Sequence, residues 1–269
     1  MIDHYVLTSS AEDLAELLRG SADPATFEHG GEIVPPASAP VLRLDDAGGR
    51  RLSLLRWGLV PAWAPDLGFG QVCINARAES ALTKPAFRQA LRRRRCLVPA
   101  DAFHAAAVEN GRIRQHRVER TDGAPFTFAG LWESWCSPAG ETVETFALVT
   151  AGVTAIRPHG LPVVIESRNH ALWLDPAATQ FDRQLRLLRP LADTALRIAR
   201  GTEEAPRFAK ARQNFGELVG RADQLEREAR AEILRAQNLV RDIQVETARR
   251  TVALGHLKAR LDHPSKEPF

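Results

Sequence analysis

The chain has 269 residues, enough for one large domain or a domain with an appendage. Hydrophobic residues at 44% and charged residues at 26% exclude a disordered chain, and no apolar run approaches the roughly 20 residues of a membrane span. A net charge of +3, carried mostly by Arg, permits nucleic-acid binding without requiring it.

The N-terminus lacks the basic-then-apolar pattern of a secretory signal. Cys73, Cys96 and Cys136 are odd in number and without close metal-ligand pairing, so they read as reduced, mostly buried thiols of a cytoplasmic protein. Neither a metal site nor a cofactor is expected.

In chain order, residues 11–19 have helical periodicity, with Ser10 as N-cap. Val41 to Leu44 and Arg51 to Trp57 alternate and pair as a hairpin across Asp45-Asp-Ala-Gly-Gly49. Trp57 and Trp63 read first as core residues. Val72 to Ile74 is expected to be a short buried strand that stops at a polar cluster, Asn75, Arg77 and Glu79. Ser80 is placed to cap a helix over about residues 81–92, and Arg92, Arg93, Arg94 and Arg95 follow at its C-terminal end, where the dipole favours cations. Cys96-Leu-Val re-enters the core as a strand. An amide, a guanidinium, a carboxylate and four arginines together suit an anion; the alternative is an Arg77–Glu79 pair and a solvated Arg run. Arg112 to Arg120, Phe126 to Leu131 and Thr145 to Thr150 read as further strands, with turns at Asn110-Gly111, Asp122-Gly123 and Pro138-Ala-Gly140.

Ile74-Asn-Ala-Arg-Ala-Glu79, Lys84-Pro-Ala-Phe-Arg88 and Arg93-Arg-Arg-Cys-Leu-Val-Pro-Ala-Asp101 resemble motifs of the SRAP family, the SOS-response-associated peptidases. Arg56-Trp-Gly-Leu-Val-Pro-Ala-Trp63, Phe128-Ala-Gly-Leu-Trp-Glu-Ser-Trp135, Leu161-Pro-Val-Val-Ile165, Trp173-Leu-Asp175 and Leu187-Leu-Arg-Pro190 follow in the family's order. The resemblance covers about residues 1–200. It implies an α+β fold, a mainly antiparallel β-sheet domain with flanking helices. It also implies single-stranded DNA binding and cross-linking to abasic sites in the DNA-damage response. On this resemblance Asn75, Arg77, Glu79 and Arg92 to Arg95 are candidate DNA or phosphate contacts, and Trp63 or Phe69 are candidates to stack on a base.

The resemblance breaks where the chemistry belongs. The family begins Met-Cys-Gly-Arg; the exposed Cys amine condenses with the sugar aldehyde and the thiol traps the imine as a thiazolidine. Here Ile2 stands at the Cys, Asp3 at the Gly and His4 at the phosphate-contacting Arg, so that cross-link is not expected. Glu32-Ile-Val-Pro stands where the family has Asn-Ile-Ala-Pro. Gly-Phe-Tyr-Glu-Trp becomes Ala102-Phe-His-Ala-Ala106, so Ala105 replaces the acid–base Glu and His104 reads as a surface histidine. Ile-His-Asp-Arg-Met-Pro becomes Ile156-Arg-Pro-His-Gly-Leu-Pro162, leaving His159 as the remnant of the catalytic His.

Beyond Pro190, where a closing strand and short tail are implied, residues 208–262 read as a helical extension containing an amphipathic helix of about 45 residues, roughly 70 Å long. Leu225, Ile233, Val240, Ile243, Leu254 and Leu257 lie on its apolar seam, which calls for a protein partner, a hairpin or a second copy. Three functions are consistent with this chain. One is a catalytically degenerate binding protein; another is an enzyme using the Met1 amine or Lys84; the third is a purely structural subunit.

Overall fold

The computed structural model describes residues 2–22, 31–109, 112–152, 160–177, 181–190, 195–199 and residue 235, with side chains 106–114 excepted. The chain divides into two units, Met1–Phe215 and Gly216–Phe269, and every element described below lies in the first. The expected helix over 208–262, with Leu225, Ile233, Val240, Ile243, Leu254 and Leu257, lies outside the described residues. Among those residues no helix is long and apolar enough to cross a membrane.

Five strands close into a barrel: β3 (Ser38–Leu44), β4 (Arg50–Trp57), β6 (Arg95–Ala100), β9 (Phe126–Cys136) and β10 (Thr142–Ala151). They run β10-β4-β3-β6-β9 and return to β10, each pairing antiparallel except β4 with β10. The β3–β4 hairpin forms as expected, with Leu44 opposite Arg50 and the Asp45 carboxylate accepting from the Ala47 and Gly49 amides in the turn. The same edge of β10 is used in turn by β4, by β5 (Asn75–Arg77) and by β11 (Leu161–Pro162). Gly58 and Gly70 make that hand-over possible. A Cβ on Gly58 would stand 2.7 Å from the Gly70 carbonyl oxygen, and one on Gly70 2.4 Å from that of Gly58; Gly58 also has φ +117.

A second, antiparallel sheet has the order β12-β8-β7-β1-β2: β12 (Leu196–Ala199), β8 (Arg112–Arg120), β7 (Ala102–Glu109), β1 (Tyr5–Leu7) and β2 (Gly31–Ile33). Buried aromatic rings tie the sheets together. Tyr5 and Phe103 of the second sheet meet Trp57, Phe126 and Phe128 of the barrel at ring separations of 5.1 to 6.5 Å. Trp57 is thus a core residue, as expected. The strand β12 fills the place of the closing strand that the reading beyond Pro190 passed over. The α+β expectation holds, although two β10 pairings are parallel.

Local readings fare unevenly. Helix α1 (Ala11–Leu18) begins in a capping box: the Ser10 hydroxyl accepts from the Asp13 amide and the Asp13 carboxylate returns to Ser10. The single helix expected over 81–92 is instead two, α2 (Ala78–Ala81) and α3 (Pro85–Arg93). Pro85 disfavours the helical region for the residue before it, and Lys84 is extended at φ −71, ψ 124, so Lys84, not Ser80, stands at the N-cap of α3. The strand expected at Val72 to Ile74 is also displaced. Leu67–Val72 is a 3-10 turn, and the polar residues Asn75 and Arg77 themselves form β5. Two short helices, α4 (His170–Leu174) and α5 (Phe181–Leu185), follow β11.

Asp101, between β6 and β7, binds the end of β1 to the barrel. Its carboxylate accepts from the Thr8 and Ser9 amides and from both hydroxyls, the last two at 2.7 Å. Burial alone would raise its pKa; the four bonds outweigh it and hold the group below the ordinary carboxylate range. Asp101→Asn is therefore expected to lose about 1–2 kcal/mol at neutral pH. Because the folded pKa is depressed, this contribution is complete above the unfolded value of about 4 and fades as pH falls through the folded one. Urea denaturation of both proteins between pH 7 and pH 2 checks this: the difference should shrink below about pH 4.

Candidate functional site

Asn75 joins the central polar cluster to the N-terminal segment. Its side-chain amide donates to the Ile2 carbonyl at 2.7 Å, so a residue of β5 holds the backbone at position 2. The Ile2 side chain is 2% exposed and packs within the main core. Asn75 Oδ1 is buried and has no hydrogen-bond partner. Ala105 lies on β7 opposite His116, on the sheet face that also carries Phe103 and Val118. At the two positions where the family motifs carry Cys and Glu, this chain has a sec-butyl side chain and a methyl group. His159 lies outside the described residues.

The other cluster residues divide. Arg77 is exposed on the same strand as Asn75, two residues on, and so on the same face. Glu79, at the start of α2, accepts from the Gly152 amide at 3.0 Å. The Arg77–Glu79 pair held open as an alternative is not among the ion pairs of the described residues.

The loop after β4 presents Trp63, which is 57% exposed with Phe69 edge-on at 5.1 Å. That loop is anchored from below: Trp135 donates its indole N–H to the Ala64 carbonyl at 2.8 Å, and Val60, Ala64 and Trp135 form a small core of their own. An exposed indole on a fixed loop suits stacking on a planar ring.

The arginine run is not one anion-binding patch. Arg93 is exposed, and Arg92 is exposed with its guanidinium 4.9 Å from the centre of the Phe181 ring. Arg94 pairs with the buried Glu133 at 2.5 Å. Arg95 is 3% exposed, and its guanidinium donates to the Trp173 and Leu91 carbonyls at 2.6 Å and to the Asp175 carbonyl. These carbonyls lie at the C-terminal ends of α3 and α4, where backbone oxygens have no intrahelical donor and carry negative partial charge. Burial pushes the Arg95 pKa down to about 10, Asp175 opposing it, and the group stays charged at neutral pH. Helix α3 stops at Arg93 and strand β6 starts at Arg95, so consecutive arginines leave the chain in unrelated directions. Phosphate contact is thus corrected for Arg94 and Arg95.

Position 104 overturns the surface-histidine expectation. The His104 ring stacks on His4 with centroids 4.1 Å apart and 24° between planes, and its Nε2 is buried without a hydrogen-bond partner. Burial, reinforced by His4 and Arg117 and opposed by Glu32 and Asp3, lowers its pKa below the ordinary histidine value. His4, Glu32 and His104 form a cluster that the sequence reading missed. Its only signal lay in β1 pairing with both β2 and β7, a long-range register.

A model of the SOS response associated peptidase (SRAP) family matches residues 1–204. The chain belongs to the SRAP family. It is similar to the abasic site processing protein YoqW of Bacillus subtilis (strain 168), 32% identical over 195 residues that cover 71% of this chain and 87% of that protein. Two crystal structures share the fold. A protein from Bacteroides thetaiotaomicron is 20% identical with a TM-score of 0.65, covering 77% of this chain and 94% of its own. One from Bordetella bronchiseptica is 24% identical with a TM-score of 0.64, covering 74% and 99%. In this SRAP chain the motif residue Asn75 remains in place against position 2, while position 2 itself carries no nucleophile.

Proposed function

We propose that this chain is a catalytically degenerate SRAP protein. It binds single-stranded DNA weakly and docks a protein partner through residues 208–262. One observation carries the reading: position 2 is a buried isoleucine whose backbone carbonyl is held by Asn75. An isoleucine offers neither a thiol to trap an imine nor a polar atom to move a proton. Ala105 removes the acid–base carboxylate as well, and residues of such a site act as a unit. Arg77, exposed beside Asn75, supplies the phosphate contact, and Trp63 with Phe69 supplies the stacking surface.

The test is incubation of the full chain with abasic single-stranded DNA. The expected outcome is no adduct on a denaturing gel, no adduct after borohydride, and weak binding that falls with salt. Arg77→Ala should lower affinity at all sequences and reduce the salt slope by about 0.7. A second reading, an active abasic-site protein using the Met1 amine or Lys84, is favoured by the name of the YoqW relative. Borohydride trapping separates the two, since only an imine is reduced to a stable adduct. A stoichiometric protein partner without any DNA affinity would instead make the chain a structural subunit.

A further inference from the structure

Three side chains far apart in sequence arrive at one spot on the second sheet. The His104 amide donates to the His4 carbonyl, so these two residues face each other across β1 and β7. Glu32 lies on β2 opposite Val6, two residues beyond His4 and therefore on the same sheet face. One ligand atom from each of His4, Glu32 and His104 lies within 4.8 Å of the other two. Each stands where the SRAP motifs quoted above carry a different residue: Arg, Asn and Tyr.

We propose that His4, Glu32 and His104 form a binding site for a first-row divalent cation of the zinc class. Two imidazoles and one carboxylate are the donor set such ions take, with a fourth position left for water or an anion. The groups behind the two imidazoles fit this assignment. Asp3 Oδ1 lies 2.8 Å from His4 Nδ1. An ionised carboxylate only accepts, so Nδ1 carries the proton of that bond, and a metal-bound His4 would use its Nε2 lone pair. His104 Nε2, buried and without a hydrogen-bond partner, gains one in the metal.

Ligand atoms around a tetrahedral zinc are roughly 3.3 Å apart, given bonds of about 2.0–2.1 Å. The cluster must close by about 1.5 Å or less: Glu32, which is exposed, can approach by side-chain rotation, and the stacked His4 and His104 rings must turn so that both nitrogens face one point. The bound ion ties β2 to β7 across β1 and so fixes the segment that carries residue 2.

The experiment uses the full chain without an affinity tag, in a Cys136→Ser background because that thiol is exposed. Zinc is titrated calorimetrically and cobalt by its visible ligand-field absorption, with Glu32→Gln and His104→Gln as variants. The expected result is one ion per chain, a zinc-dependent rise in melting temperature, and affinity at least about tenfold weaker in each variant. Glu32→Gln alters an exposed side chain of the same shape, so it tests the site even if His104→Gln fails to fold. Absence of cobalt absorption, or equal zinc affinity in wild type and Glu32→Gln, overturns the assignment.

Discussion

Arg95→Met is expected to destabilise the protein by about 3 kcal/mol or more, lowering its melting temperature by roughly 10 °C. The guanidinium serves three backbone carbonyls in a buried setting, and methionine of similar length offers none of them a donor. The Asp175 carbonyl keeps the Gln184 amide at 2.7 Å, but the Leu91 and Trp173 carbonyls lose their side-chain donor. Arg95→Lys should recover little, because an ammonium on one point cannot reach acceptors spread along a planar fork. Arg93→Ala is the control: the residue is exposed, and its change is expected within about 0.5 kcal/mol. Guanidinium denaturation of the three variants decides the matter. Equal losses in Arg93→Ala and Arg95→Met would mean that the run acts as one surface patch, as its composition suggested.

That run marks the boundary of what the chain's order reveals. Four arginines in succession look alike in sequence, yet a helix end and a strand start fall among them. One is held by Glu133 and the next is sealed behind α4. Elements set by neighbours along the chain were legible. Ser10 and Asp13 specify a helix start through a reciprocal pair of bonds, and Asp45 to Gly49 specifies a hairpin turn. Asn75, Arg77 and Glu79 are neighbours along the chain but part in the fold: Asn75 turns to the Ile2 carbonyl, Arg77 is exposed, and Glu79 takes the Gly152 amide. Val72 to Ile74 was misread because an apolar run does not record which neighbour offers it hydrogen bonds, and β10 pairs with the polar residues that follow. His4, Glu32 and His104 were out of reach for a related reason. Their meeting depends on β1 lying between β2 and β7, and nothing local in the chain encodes that pairing.

The largest gain of activity is expected from Ile2→Cys. With position 2 small, Met1 becomes removable, and the exposed residue brings an amine of pKa about 7.7–8.0 next to a thiol. The amine condenses with the aldehyde of an abasic sugar, releasing water, and the thiolate adds to the resulting carbon–nitrogen double bond to close the ring. Asn75 already holds the carbonyl of position 2 at 2.7 Å, so the new nucleophile inherits a fixed backbone. Ile2→Cys is therefore expected to form an adduct with abasic single-stranded DNA that survives a denaturing gel, where the parent forms none. Adding Ala105→Glu should accelerate it by about 10²–10⁴, the usual contribution of a placed acid–base group. Replacing Asn75 by Ala in that background should slow it, since the amine is then free to wander from the reacting carbon. Mass spectrometry must first show that Met1 is gone, and circular dichroism that the smaller side chain has not unfolded the core. If the double variant passes both checks and still forms no adduct, the site has lost more than its nucleophile and its acid. The altered segment around His159 is then the next place to restore, by rebuilding the Ile-His-Asp-Arg-Met-Pro spacing.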